Sequence, residues 1–175
     1  MQTATPSVST TAVGRRYGLL TGLVSIIISF GIYALELEQN SAVRFLTVAV
    51  LVGGIVLAMR SFKEQNGGFM GYGQGLSVGM LVSGVVGLLS GAFIYLYTTV
   101  VDPSVITRML DKARADMEAK GTMSDAQVDQ AMQWSAKFTT GPVMLLFSVL
   151  FTLFLGLIIS LIVAAFVKNP KPEFE

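Results

Sequence analysis

Residues 65–101 read QNGGFMGYGQGLSVGMLVSGVVGLLSGAFIYLYTTVV, the longest stretch of the chain without a charged side chain. Within it Gly71, Gly75, Gly79, Ser83, Gly87 and Gly91 recur at every fourth position. A bilayer core about 30 Å thick is crossed by roughly 20 apolar helical residues. The run therefore predicts a membrane span over about 72–101, with its Gly-rich opening at the interface. Helices in lipid gain little from the hydrophobic effect against one another, and rows of small side chains let their backbones approach closely enough for dispersion contacts. Each four-residue step turns about 40° around a 3.6-residue helix. The row is thus expected to pass from one neighbour to another and to make this span the hub of a bundle.

The rest of the chain agrees with lipid as the solvent. Its 175 residues weigh 18.7 kDa, are 53% apolar and only 13% charged, and have a mean hydropathy of +0.67. A soluble chain carries about a quarter charged residues, and this length leaves no room for a multidomain enzyme. Three further spans are predicted at about 17–37, 42–59 and 140–167. The first contains YGLLTGLVSIIISFGIYAL at 17–35, longer than the roughly 7–15 residues of a signal-peptide core. Arg44, near the start of the second, can extend its head to the lipid headgroups. Shorter small-residue rows open the first span (Gly14, Gly18, Gly22) and run through the fourth (Gly156, Ser160, Ala164). These rows serve packing within one bundle, an oligomer seam or a partner's groove, since all three need the same close approach. Residues 1–14 read as a disordered tail, 15–168 as the membrane domain and 169–175 as a C-terminal tail.

Four spans place both termini on one side. Arg15, Arg16, Arg60, Lys63, Lys168 and Lys171 flank that side, whereas five of the six Lys/Arg opposite are spread through residues 102–139. The bias next to the membrane predicts cytoplasmic termini.

Residues 102–139 are too long for a structureless connector and parse as a helical hairpin. Asp102-Pro103 supplies a cap and a helix-starting proline. Val105, Ile106, Met109, Leu110, Ala113 and Met117 share a face, and Gly121 is a stop. Ser124 and Gln127 form a capping box before the stripe Val128, Ala131, Met132 and Phe138, which Trp134 flanks. Such short helices need burial. Their stripes pack on each other and the bundle rim, lie in the headgroups, or offer a partner-docking face at Met109, Met117, Met132 and Trp134. The fold class is accordingly all-α, an integral membrane four-helix bundle with an amphipathic hairpin between spans three and four.

Little chemistry is available. The chain has no His and no Cys, which removes disulfides, imidazole or thiolate metal sites and catalysis through either group. The net charge of +1 argues against nucleic acid. No cofactor and no metal are expected. The segment from Gly67 to Gly75 lacks the Lys-Ser/Thr of a phosphate loop, and Gln74 is a polar side chain at a helix mouth. Span interiors carry no ionisable Asp, Glu, Lys or Arg to flag proton or ion coupling. Glu36, Glu38 and Arg44 gather at one boundary, the only cluster that could furnish a lipid-acting enzyme. The in-membrane polar groups are hydroxyls: Ser25, Ser29, Tyr33, Ser83, Ser90, Tyr95, Thr98, Ser148, Thr152 and Ser160. Asp125 and Asp129 read as solubilising charge.

The run from Gly67 to Gly75, the Gly-spaced third span, Tyr95 and Tyr97, Asp102-Pro103 and the opening Arg-Tyr-Gly-Leu-Leu-x-Gly (Arg16 to Gly22) resemble the bacterial membrane proteins of the domain of unknown function 4199 family. The resemblance runs from about Arg15 to Lys168. It implies a four-span membrane protein with a helical segment between spans three and four, and no activity. Gln74, Asp102 and Pro103 sit at its motif positions, where helix entry and capping account for them.

The expectation is a non-enzymatic membrane protein, a helix-packing subunit or accessory factor that works as a homo-oligomer or with a protein partner in the bilayer. The alternative is an oligomeric channel or facilitator, which requires the hydroxyls to converge on a water-filled path.

Overall fold

The structure, a computed structural model, describes residues 8–38, 40–139 and 141–171, without the side chains of Ser41 and Arg44. The expected tails at 1–7 and 172–175 and the placement of the Arg44 head lie outside the described residues. The helices are α1 (Thr10–Ala34), α2 (Ser41–Gln65), α3 (Tyr72–Leu96), α4 (Ser104–Lys120), α5 (Asp125–Phe138) and α6 (Gly141–Val167), with a π-helical turn at Tyr97–Val101. Four of them, α1, α2, α6 and α3 with its π turn, are long and apolar enough to cross a membrane. The chain is an all-α integral membrane bundle with α4 and α5 as a hairpin between spans three and four.

Local capping explains where the elements begin and end. Ser9 Oγ accepts the Ala12 N–H at 3.3 Å, so α1 starts at Thr10 and residues 10–14, expected in the tail, are helical. Asn40 Oδ1 accepts the Ala42 N–H at 2.9 Å and starts α2. At the end of α2 the Gly68 N–H reaches the Lys63 carbonyl at 2.8 Å and the Gly67 N–H that of Glu64 at 3.3 Å. This cap needs a left-handed residue, and Gly67 (φ 68°) supplies it. The same pair of bonds ends α1, from Leu37 to Ile32 at 2.8 Å and from Glu36 to Tyr33 at 3.1 Å. There a non-glycine, Glu36, takes φ 53°.

Helices α3 and α6 run antiparallel with their small residues face to face. Gly75 lies against Ala164, Gly79 against Ser160, Ser83 against Gly156, Gly87 against Thr152 and Gly91 against Ser148. A Cβ on Gly87 would stand 3.2 Å from the Val149 backbone, and one on Gly91 would stand 3.3 Å from the Leu145 carbonyl oxygen. The row therefore stays on one neighbour, contrary to the expected swing. On a straight helix it would have turned through about 160°, but α6 carries its own four-residue row and follows it. A repeat longer than 3.6 residues implies a right-handed wrap. Gly71 drops out of the row: it is the N-cap of α3, and its N–H donates to Gln74 Oε1 at 2.8 Å.

The second seam has different chemistry. Gly14, Gly18 and Gly22 of α1 receive Leu81, Val85 and Leu89 of α3, with Cβ positions 2.6, 2.7 and 2.5 Å from the nearest atom. Thr21 of α1 likewise fills the space over Gly54 of α2. Helix α3 touches α1, α2 and α6, presenting large side chains to α1 and small ones to α6. It is a hub through separate faces.

The sealed core lies toward the basic end of the bundle. Ile55, Met59, Phe62, Met70, Val78, Val82 and Ala164 are fully buried there. A clasp closes it: Met70 and Asn169 exchange backbone hydrogen bonds at 2.8 and 2.9 Å, and Lys63 Nζ donates to the Val167 carbonyl at 3.0 Å. A cation at that helix end also suits the macrodipole.

A methyl group at Gly156 would overlap Ser83 Oγ and Cβ, whereas one at Gly53 meets nothing within 4 Å. Gly156→Ala is expected to destabilise the bundle by about 1–3 kcal/mol, read as a lower Tm in detergent. Gly53→Ala should leave Tm unchanged or raise it, through helix propensity. Leu at Gly79 or Gly87 should disrupt the α3–α6 seam altogether.

Candidate functional site

Away from the basic end the bundle opens. Helix α2 buries Leu51, Ile55, Ala58, Met59 and Phe62, whereas Phe45, Leu46 and Val48 before them are exposed. Between that diverging stretch and the other spans lies a cleft of about 520 Å³. Ser25, Ser29 and Tyr33 of α1, Thr47 and Leu51 of α2, Ser90 and Phe93 of α3, and Ser148, Phe151 and Thr152 of α6 line it. A smaller chamber of about 170 Å³, sharing Ser29, Tyr33 and Thr47, extends the cleft to Glu38. Both volumes together are of small-molecule size, roughly 300–1,000 Å³.

The hydroxyls divide into two groups. Ser25, Thr47 and Thr152 donate to the carbonyls of Thr21, Val43 and Ser148 on their own helices, at 2.8, 3.2 and 2.8 Å. Such bonds are the ordinary fate of a hydroxyl in a membrane helix. Among the described residues no protein group hydrogen-bonds the hydroxyls of Ser29, Tyr33, Ser90 or Ser148, and these four face the cleft.

The rim is built by the turn after α1 and by the π turn after α3. Thr98 and Thr99 return their hydroxyls to the Ile94 and Tyr95 carbonyls, and the Asp102 N–H reaches back five residues to Tyr97 at 2.9 Å. Regular helix expected to 101 is thus replaced by a wider turn after Leu96. Tyr97 is buried, stacked on Tyr33 (centroids 5.1 Å) and close to Phe93 (5.7 Å) and Phe30 (6.2 Å).

Arg108 of α4 holds the hairpin to this rim. Its Nε donates to Glu38 Oε1 at 2.8 Å, one terminal nitrogen to Asp102 Oδ2 at 3.1 Å and the other to Ser104 Oγ at 2.6 Å, with Glu36 at 3.8 Å. Asp102 also accepts the Ser104 N–H at 3.0 Å, capping α4. The Ser104 hydroxyl, and after it Arg108, hold the Asp102 carboxyl below the usual carboxylate range. Arg108 is raised above its ordinary value, first by the bond to Glu38 and then by Asp102. Glu38 is only 8% exposed; its second oxygen, Oε2, is buried with no hydrogen-bond partner.

The chain matches the family described as "Protein of unknown function (DUF4199)" over residues 16–169. It belongs to that family. No match to the chain was found among curated proteins or among solved structures.

In this DUF4199 protein the singled-out residues do not form one site. Gly18, Gly22, Gly75, Gly79, Ser83, Gly87 and Gly91 are spent on seams inside the chain, and Gly71 and Gln74 on a cap. Met109, Met117 and Met132 are half-buried in the hairpin, where Val105 and Val128 are fully enclosed. Trp134 is 54% exposed, stacked on Phe138 at 6.4 Å with Lys137 Nζ 4.9 Å above its ring. Asp129, read as solubilising charge, pairs with Arg114 across the hairpin. Among the described side chains, the Glu36–Glu38 cluster has Arg108 as its basic partner, from a helix about 70 residues away in sequence. Sequence spacing carried no signal for that contact. The signal available was a pair of acidic residues, Glu36 and Glu38, directly after an apolar span.

The Arg108 cluster predicts how the hairpin responds to change. A carboxylate with a depressed pKa contributes stability above its unfolded value, about 3.9, and loses it as pH falls through the folded value. The raised Arg108 contributes fully at any pH below the ordinary guanidinium range, so it adds no change between neutral and acid pH. Amide exchange of residues 104–120 should be steady from pH 8 to 5, after correction for intrinsic rates, and accelerate below about pH 4. Arg108→Ala should produce the same acceleration at neutral pH while α1, α3 and α6 keep their protection.

Proposed function

We propose that this protein is a non-enzymatic accessory subunit of an envelope assembly, inserted in the bacterial cytoplasmic membrane with both termini cytoplasmic. The sealed basic half carries this reading over the channel or facilitator alternative. Ile55, Met59, Phe62, Val78 and Val82 plug the bundle below the cleft, so a solute has no route through one chain. The cleft hydroxyls line a cavity between the four spans of one chain, which favours a site within the chain over a pore between copies. Because the small-residue rows are satisfied within one chain, oligomerisation is not required to bury them. The hairpin, with Trp134 exposed on it, is the element left for a protein partner.

The first test is the mass and composition of the complex drawn from native membranes in a lipid-preserving medium. A stoichiometric second protein is the expected result. A homo-oligomer without a partner, together with solute flux in liposomes, would replace this reading with the facilitator.

The lack of cysteine makes orientation a direct measurement. Met123→Cys, between the hairpin helices, should react with a membrane-impermeant thiol reagent on intact spheroplasts. Lys171→Cys should react only after the membrane is opened. The reverse pattern would invert the topology.

A further inference from the structure

The occupant of the open half is the strongest question the molecule poses beyond its proposed role. Glu38 Oε2 is buried, unpartnered and set at the wall of the smaller chamber. A buried acceptor left without a donor costs about 1–3 kcal/mol, more for a charged group. Among the described side chains only Arg108 is within ion-pair distance of the Glu36, Glu38 and Asp102 carboxylates, so the described rim carries more negative than positive groups. Beside the unbonded hydroxyls of Ser29 and Tyr33 stands Phe93, stacked on Tyr33 at 6.4 Å, and farther in the walls carry Phe151 and Leu155 together with the hydroxyls of Ser90 and Ser148. Charge is confined to the rim, and the interior is hydrocarbon with hydroxyls set into it.

We propose that this cleft binds an amphiphile with a protonated amine head and an apolar body, the head meeting Glu38 Oε2 and the body filling the space between α1, α2, α3 and α6. The ammonium supplies a donor to the unpartnered Oε2 and a positive charge beside the carboxylates. Charge-assisted hydrogen bonds of this kind are roughly twice as strong as neutral ones. An anionic head would meet the carboxylates. A neutral alcohol would satisfy the acceptor and leave the charge. The exposed first half of α2, where Val48 at 40% exposure forms part of the cleft wall, is the side entrance. The proposal does not depend on whether a protein partner docks on the hairpin.

The test uses the full chain in phosphatidylcholine nanodiscs, with octylammonium as probe and octanol and octanoate as controls, each compared with empty discs. Saturable binding of one octylammonium per chain is expected, at least about tenfold tighter than either control. Glu38→Gln, which keeps an acceptor for Arg108 but removes the charge, should weaken octylammonium by a similar factor. Ser90→Leu, which fills the cleft without touching the carboxylates, should abolish saturable binding. That variant, with the octanol and octanoate comparison, decides the matter even if the Gln variant fails to fold. Competition by phosphatidylethanolamine in the discs would assign the amine to a bilayer lipid, and its absence to a free amine; the site stands either way. Binding equal to that of empty discs, equal affinity for octanol, or binding unchanged in both variants would overturn the proposal.

Discussion

Close approach of α3 and α6 along five facing pairs of small residues is the contact on which the rest of the bundle depends. In lipid the usual drive for burying apolar surface is absent between helices, so stability comes from how densely the backbones pack. The pairs from Gly75–Ala164 to Gly91–Ser148 bring two helices together over about 24 Å, sixteen residues at 1.5 Å each. Once that pair is fixed, the outer face of α3 offers Leu81, Val85 and Leu89 to the glycines of α1. Helix α2 is placed last, by Thr21 over Gly54 and by the side chains around Phe62. The first half of α2 has no equivalent contact, and the cleft is the consequence.

The fold was legible from this sequence because its signals are one-dimensional. Charge-free length marks the spans, Gly121 and the Ser124–Gln127 box mark the hairpin, and four-residue spacing marks the seams. The swing of the small row was misjudged for a physical reason. A single helix viewed alone turns its row away, and only the matching row on α6, read together with it, shows that the two wrap. The start of α1 was missed because composition outvoted a serine cap, although Ser9 beside Thr10 was visible.

The site was much less legible. Its hydroxyls are visible in the sequence, but which of them bond their own helix and which stay free depends on how the helices diverge. Ser25 and Ser29 are one turn apart on α1, and only Ser25 is satisfied locally. The partner of Glu38 was hidden as well. Arg44 is near it in sequence, whereas Arg108 reaches it through tertiary structure, brought there by the π turn and the capped start of α4. A five-residue π segment carries no periodic signature that would separate it from ordinary helix, and insertions of this kind occur often at functional sites.

Glu38 joins the two halves of the open end. One of its oxygens holds Arg108 and therefore the hairpin; the other faces the cleft. A group that binds Oε2 changes the charge and the position of the carboxylate that Arg108 grips, so cleft occupancy and hairpin docking share one side chain. Linkage makes this reciprocal: the factor by which an occupant changes hairpin docking equals the factor by which docking changes the occupant's affinity. The hairpin is also the surface proposed above for a protein partner. At the sealed end the clasp from Met70 to Asn169 and from Lys63 to Val167 closes on backbone groups. A closed half and a half that opens onto a single shared carboxylate fit the proposed subunit role, in which what sits in the bilayer is reported to a protein outside it.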